Sequence, residues 1–153
     1  MAKLCFLCAA LLFVIAAPAR ADFERSRDKP ASPEYDAGRK AVEAKDYNAA
    51  LGHLTQAAQK LPDDADVHNL LGYSYRKLGN YDKALEHYRT ALKLDPRHRG
   101  AHEYLGELYL ETNRLPDAEN ELSALKKNCP WFGKCEEYED LKAEIEKYKA
   151  KKK

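Results

Sequence analysis

The sequence repeats itself every 34 residues, and this repeat constrains the fold more than any other feature. Its clearest copy is Ala65–Pro96, ADVHNLLGYSYRKLGNYDKALEHYRTALKLDP. Small residues and a proline recur in register, without an insertion, at Gly38, Gly72 and Gly106, at Ala50, Ala84 and Ala118, and at Pro62, Pro96 and Pro130. Three copies in register predict one structural unit that is used three times and stacked on itself.

Each unit has the pattern of two short amphipathic helices, so the chain is predicted to be all-α. The second helices are predicted to begin at Tyr47, Tyr81 and Leu115. They should stop before the repeated prolines, because the residue before a proline disfavours the helical region. The turn Leu78-Gly79-Asn80 separates the two helices of the middle unit, since glycine accepts a left-handed backbone. A glycine inside a helix costs about 1 kcal/mol relative to alanine, so three glycines at one first-helix position indicate close contact between helices.

The spacing of the middle unit resembles the tetratricopeptide repeat (TPR), with a histidine where that family often has a tryptophan. The residues that carry the resemblance are His68, Leu71, Gly72, Tyr75, Ala84, Tyr88 and Pro96. The resemblance implies a right-handed α-solenoid of three helix-turn-helix units, at residues 33–64, 65–98 and 99–132. One unit cannot bury its own apolar faces, so its neighbours must stack on it.

The pattern changes after Pro130, where Trp131-Phe132-Gly133 predicts a turn. An apolar stripe then follows at steps of three or four residues, on Cys135, Tyr138, Leu141, Ile145 and Tyr148. A one-sided helix of this kind covers the bare last face of a repeat stack. The sequence therefore predicts a C-terminal capping helix at 133–150, followed by a basic tail at 151–153.

The segment 1–21 has the pattern of a secretory signal peptide: a basic Lys3, an apolar run at 4–17, and the cleavage-like Ala19-Arg20-Ala21. An uncleaved N-terminal anchor is the alternative. Residues 22–32 are polar and predict a flexible lead-in. Removal of 1–21 changes the net charge from +1 to −1, because it removes Lys3 and Arg20 but no acid. A charge near zero gives no general attraction to nucleic acid, and the mature chain has no predicted membrane span.

Cys129 and Cys135 flank the join between the third unit and the cap. In an exported chain we expect them to form a disulfide that fixes where the cap docks. A redox pair or a metal site are the alternatives. Redox pairs are usually closer together, and structural zinc needs four ligands.

Residue patterns typical of catalysis do not stand out in the sequence. It has no nucleophile motif, no phosphate-binding glycine loop and no series of metal ligands. His98 and His102 are spaced to share a helix face and to bind a metal weakly, but packed or solvated histidines are the simpler interpretation. We therefore expect no enzyme activity and no cofactor.

The resemblance also implies a binding surface, because the first helices of successive TPR units line a concave groove that holds an extended peptide or a partner helix. Register places these residues in the groove: Tyr35, Arg39, Glu43, Asn69, Tyr73, Arg76, Lys77, Glu103, Glu107 and Glu111. The tyrosines offer amphipathic contact, the basic residues could pair with acidic groups, and the glutamates with basic ones. The pattern with which some TPR domains clamp a terminal carboxylate is matched only by Asn69, Arg76 and Lys77. The alternative is that these side chains form solvated helix faces.

The function predicted from these features is a non-catalytic protein-interaction module or assembly adaptor of the cell envelope. The chain resembles the small periplasmic TPR proteins of Gram-negative bacteria, and we expect a monomer with a protein or peptide partner. The alternatives are a thiol/disulfide redox helper that uses Cys129 and Cys135, and a self-associating scaffold. Replacing Tyr73 and Arg76 by alanine is expected to abolish partner capture without changing helicity or melting.

Overall fold

The computed structural model describes residues 32–130 and 134–152. These residues form seven α-helices and no strand, which confirms the predicted all-α solenoid. The helices are α1 (Pro33–Glu43), α2 (Tyr47–Lys60), α3 (Ala65–Lys77), α4 (Tyr81–Leu94), α5 (Arg99–Glu111), α6 (Leu115–Asn128) and α7 (Glu136–Lys151). The predicted signal peptide, most of the lead-in and the turn at 131–133 lie outside the described residues.

The helices of each unit are separated by the same turn, in which one residue adopts a left-handed backbone. That residue is Lys45 (φ 60°), Gly79 (φ 77°) and Asn113 (φ 60°) in the three units. The first two units also share a side-chain cap, since Asp46 accepts from the Ala49 N–H and Asn80 from the Lys83 N–H, whereas Arg114 at the matching position of the third unit forms no such cap. Caps of this kind satisfy donors that a helix leaves unpaired at its start. The second helices begin at the three residues that the sequence predicts.

The three first-helix glycines mark close approaches between helices. A Cβ added at Gly38 would lie 2.6 Å from the Leu54 side chain, and one at Gly72 would lie 2.7 Å from the Tyr88 ring. At Gly106 the neighbour is Leu141 of α7, at 2.5 Å. Tyr88, Leu54 and Leu141 are fully buried, so each glycine makes room for a large core side chain.

Helix α7 covers the end of the stack and contacts both α5 and α6. Its residues Leu141 and Ile145 are buried in the same core cluster as α5 and α6. The helix begins at Glu136 and includes Lys151, so part of the predicted basic tail is helical. Because its apolar stripe is occupied, α7 is a cap on the repeat stack as predicted.

Cys129 and Cys135 are joined by a disulfide between the end of α6 and the start of α7, with their Cα atoms 5.7 Å apart. Closing a loop of about seven residues stabilises the folded chain by about 2.4 kcal/mol in the chain-entropy estimate. The bond restrains the chain where α7 begins. Among the described residues, no helix combines the length and the hydrophobicity needed to cross a membrane.

Candidate binding groove

A cavity of about 550 Å³ lies along the first helices of the units and the cap. Four of its lining residues occupy the same register position, one on each of α1, α3, α5 and α7. They are Tyr35, Asn69, Glu103 and Glu137. We call this set the register row. The turn between α4 and α5 and the start of α5 complete the wall with Asp95, Arg97, His98, Arg99 and Gly100.

Three of the ten residues predicted for the groove line this cavity: Tyr35, Asn69 and Glu103. Tyr35 and Asn69 are only 1% and 3% exposed, so they form the inner wall and not an open face. The amide oxygen Oδ1 of Asn69 has no hydrogen-bond partner among the described residues. A buried polar atom without a partner is costly. This oxygen is itself closed to solvent, so a ligand donor reaches it only if the Asn69 amide turns toward the cavity.

Arg76 does not lie in the groove as a free cation, which corrects the expectation that it meets acidic ligand groups. Its side chain is almost fully buried, and its guanidinium pairs with Glu107 and, at 2.8 Å, with Glu111. The guanidinium carbon lies 5.4 Å from the centre of the Tyr73 ring and 5.8 Å from that of the Tyr104 ring. We call Arg76 and these four neighbours the Arg76 cluster. Because it joins α3 to α5, its first role is to hold consecutive units together.

The burial of Arg76 also changes what its removal should do. Alanine at this position would leave two carboxylates without their cation. The burial and pairing of Arg76 therefore replace the expectation of unchanged melting with the prediction that Arg76→Ala lowers the melting temperature. Substitutions that test the groove must therefore be made at residues outside the Arg76 cluster.

The other predicted cations of the groove also have partners within the chain. Arg39 pairs with Glu43 one helical turn away, at 2.5 Å. Lys77 lies over the Tyr73 ring, 5.1 Å from its centre. The terminal-carboxylate clamp considered from the sequence is thus reduced to Asn69, because Arg76 is neutralised by acids and Lys77 lies outside the cavity wall.

The acidic end of the groove lies where α5 meets α7. Burial raises the pKa of Glu103 to about 8, and the carboxylates of Glu107, Asp140 and Glu137 act in the same direction. Arg76 opposes them but does not outweigh them. Glu137 itself pairs with Arg99 at 3.4 Å. Near neutral pH most Glu103 side chains therefore carry a proton in the empty groove.

Sequence reasoning missed Glu137, Asp140 and Tyr104, all of which line the cavity. Glu137 follows Glu103 by one full repeat, so the register contained this signal. The sequence analysis interpreted α7 only as a cap over the core, so Glu137 was not among the predicted groove residues. Asp140 follows one helical turn after Glu136, which also lines the cavity.

The histidines have structural partners. His68 and His102, at one position of successive units, place Nε2 3.0 and 3.1 Å from the carbonyl oxygens of Pro62 and Pro96 in the turns between units. His98 contacts Asp66 at 3.0 Å and His102 contacts Glu121 at 2.7 Å, so the two bind different groups. Across residues 32–130 and 134–152, no three side chains of the metal-binding types converge.

The family model of the tetratricopeptide repeat matches residues 65–98, the unit from which the register was recognised. The chain is 36% identical over 100 residues to the chloroplastic TPR domain-containing protein PYG7 of Arabidopsis thaliana. That alignment covers 63% of this chain and 33% of the relative, so this chain spans about a third of that protein's length.

Two solved structures share the fold. The first is the Yersinia enterocolitica type III secretion chaperone SycD, in complex with a peptide of the translocator YopD. It has a TM-score of 0.68 and 19% identity, over 78% of this chain and 92% of that one. The second is the TPR2B domain of yeast Sti1 in its pHsp70 complex, with a TM-score of 0.70 and 15% identity, over 77% and 94%. Residues 65–98 therefore form a tetratricopeptide repeat, and the described residues share the fold of TPR domains.

Proposed function

We propose that this chain is a non-catalytic interaction module that holds an extended peptide segment of a partner protein in the groove. The observation that carries the proposal is the register row, in which one residue from each of the alternate helices α1, α3, α5 and α7 lines a single cavity. An extended segment presents groups at regular intervals, and a row with one wall residue from each first helix and the cap suits such a ligand. The peptide in the SycD structure and the pHsp70 partner in the Sti1 structure support this proposal by analogy.

The wall offers both contact area and an acceptor for a peptide. Tyr73 and Tyr104 pack with ring centres 4.9 Å apart beside the groove, and rigid aromatic side chains give contact area at low entropic cost. Asn69 lines the cavity and its amide oxygen has no hydrogen bond to give up within the described residues, so the oxygen can accept from a ligand once the amide turns toward the cavity. A peptide N–H or a side-chain donor would satisfy it.

The cell envelope is the compartment that we propose for this function. The pattern of residues 1–21 and the disulfide between Cys129 and Cys135 support an exported chain. Cys135 is only 8% exposed, so the bond is better suited to fixing the cap than to exchanging with a substrate thiol. We therefore propose a structural role for this disulfide.

The groove can be tested by filling it. Gly100 lines the cavity, and Gly100→Trp would place an indole ring in it. Gly52→Trp is the matched control, because Gly52 is exposed, does not line the cavity, and an added Cβ there would meet nothing within 4 Å. Peptides are selected from a random display library on the wild-type protein and then measured on both variants by fluorescence anisotropy.

The selected peptides should bind the Gly52→Trp protein as they bind wild type and should lose at least tenfold in affinity for the Gly100→Trp protein, since the ligand and the ring compete for one space. Circular dichroism checks that both variants keep their helices. Equal binding to the two variants would place the binding surface outside this groove and refute the proposal.

A further inference from the structure

Some of the charged side chains around the groove have an ion-pair partner, and others do not. Arg76 is neutralised by two carboxylates and Arg99 pairs with Glu137. Glu103 and Asp140, in contrast, form no ion pair with any described residue. Where α5 meets α7, the groove therefore has acidic side chains without an ion-pair partner among the described residues.

Two exposed cations, Arg97 and Lys134, also line the cavity. They do not reverse the local charge at Glu103. The neighbouring charges that most affect this side chain are the carboxylates of Glu107, Asp140 and Glu137, and Arg76 alone is prominent against them. The electrostatic environment of Glu103 thus favours an added positive charge.

Asn69 gives an independent indication of the ligand's chemistry. It is 3% exposed, it lines the same cavity one repeat before Glu103, and its amide oxygen has no donor among the described residues. Lysine ammonium and arginine guanidinium groups only donate hydrogen bonds. Once the amide turns toward the cavity, a cationic side chain can donate both to this oxygen and to a carboxylate, whereas a ligand carboxylate would add negative charge beside Asp140 and Glu137.

We propose that the groove selects a peptide segment bearing a lysine or arginine side chain, which it binds against the Glu103 and Asp140 carboxylates beside Asn69. This inference rests on the proposed function and names the ligand class for the same groove. Its charge preference is the reverse of that of a clamp for a terminal carboxylate. Charge-assisted hydrogen bonds of this kind are roughly twice as strong as neutral ones.

Three labelled peptides that differ only in charge test the preference. Four helices packed about 10 Å apart span a distance that roughly ten extended residues can cover. Each peptide therefore has about ten residues, with arginine, glutamine or glutamate at alternate positions. Anisotropy is measured on the purified full chain at about 0.15 M salt, where distant surface charges are largely screened.

Two double variants of equal net charge separate the site from general attraction. Glu103→Gln with Asp140→Asn removes the acids of the groove and keeps their shapes. Asp82→Asn with Glu86→Gln removes two exposed acids of α4, which do not line this cavity. The arginine peptide should bind wild type at least tenfold more tightly than the glutamine peptide. It should lose about tenfold in the first variant and be unchanged in the second.

Three outcomes would overturn the inference. Equal affinities of the three peptides, with binding still lost in Gly100→Trp, would refute the charge preference and leave the proposed function standing. Equal losses in the two double variants would show attraction to the whole surface instead of a site. Displacement of the arginine peptide by spermidine as effectively as by unlabelled peptide would assign the groove to a small polyamine. If no peptide binds the Gly100→Trp protein more weakly than wild type, the proposed function is refuted as well.

Discussion

Gly72 allows α3 and α4 to approach each other, and Gly72→Ala tests how closely the middle unit is packed. The added Cβ would lie 2.7 Å from Cδ1 and Cε1 of Tyr88. Carbon atoms pack favourably at about 3.5–4.0 Å, so the ring or the helix must move by nearly 1 Å. Tyr88 is fully buried and its ring is rigid, which leaves little room for such a shift.

Gly52→Ala provides the reference for the magnitude. Gly52 also lies inside a helix, but a Cβ there meets nothing within 4 Å. Both substitutions gain about 1 kcal/mol of helix propensity, and this gain cancels in their difference. The difference is the cost of overpacking, about 1–3 kcal/mol. We therefore expect Gly52→Ala to be more stable than wild type and Gly72→Ala to be less stable than Gly52→Ala by this amount.

Urea unfolding followed by circular dichroism measures both variants. With a slope of about 2 kcal/mol per molar urea, the two midpoints should differ by about 0.5–1.5 M. Gly38→Ala should fall between them, because its nearest neighbours are Cδ2 and Cγ of Leu54, and a leucine side chain can change rotamer more easily than a tyrosine ring can move. A midpoint for Gly72→Ala equal to or above that of Gly52→Ala would refute the close packing of α3 on α4.

Two further predictions concern charge. Arg76→Ala should lower the free energy of unfolding by up to about 3 kcal/mol, because it removes a buried side chain and leaves the partly exposed carboxylates of Glu107 and Glu111 without their cation. Arg39→Ala, which breaks an exposed pair, should cost at most about 1 kcal/mol. Glu103 binds a proton more tightly in the folded chain, with a pKa of about 8, than at its ordinary value of 4.5. Its contribution to stability is therefore complete below pH 4.5 and is lost as the pH rises to 8. Glu103→Gln should flatten this dependence.

Urea midpoints also test these two predictions. Similar losses in the two arginine variants would show that the Arg76 cluster contributes no more than a surface pair. For Glu103, wild type and Glu103→Gln are compared at about pH 5 and about pH 8.5. An unchanged pH dependence in the variant would assign the titration to another group.

The sequence was sufficient for the helices and their order, because the repeat register is carried by residues whose local physics is simple. Proline ends a second helix, glycine makes room for Leu54 or Tyr88, and the turn takes a left-handed residue. The left-handed residues of the outer units, Lys45 and Asn113, were not predicted, since only the middle unit has glycine there.

The site was less predictable, because register gives the face of a helix but not the contacts between helices. Arg76 occupies the register position of Val42, which is buried in the first unit. Its burial could have been suspected from that, but its pairing with Glu107 and Glu111 depends on how α3 sits on α5. The charge of the groove follows from this pairing, which leaves Glu103 as an acid without an ion-pair partner in the described residues.

Helix α7 belongs both to the hydrophobic core and to the wall of the groove. Leu141 fits against Gly106 and fixes α7 on α5, while Glu137 and Asp140, on the same helix, line the cavity. The disulfide at Cys135 restrains the chain just before Glu137. The contacts that close the hydrophobic core therefore also place carboxylates beside Glu103 and keep its pKa high. Burial is the largest cause of that shift, and the carboxylates add to it. A cationic ligand would oppose the contribution of the carboxylates, so binding should release a proton near neutral pH and strengthen as the pH rises toward 8.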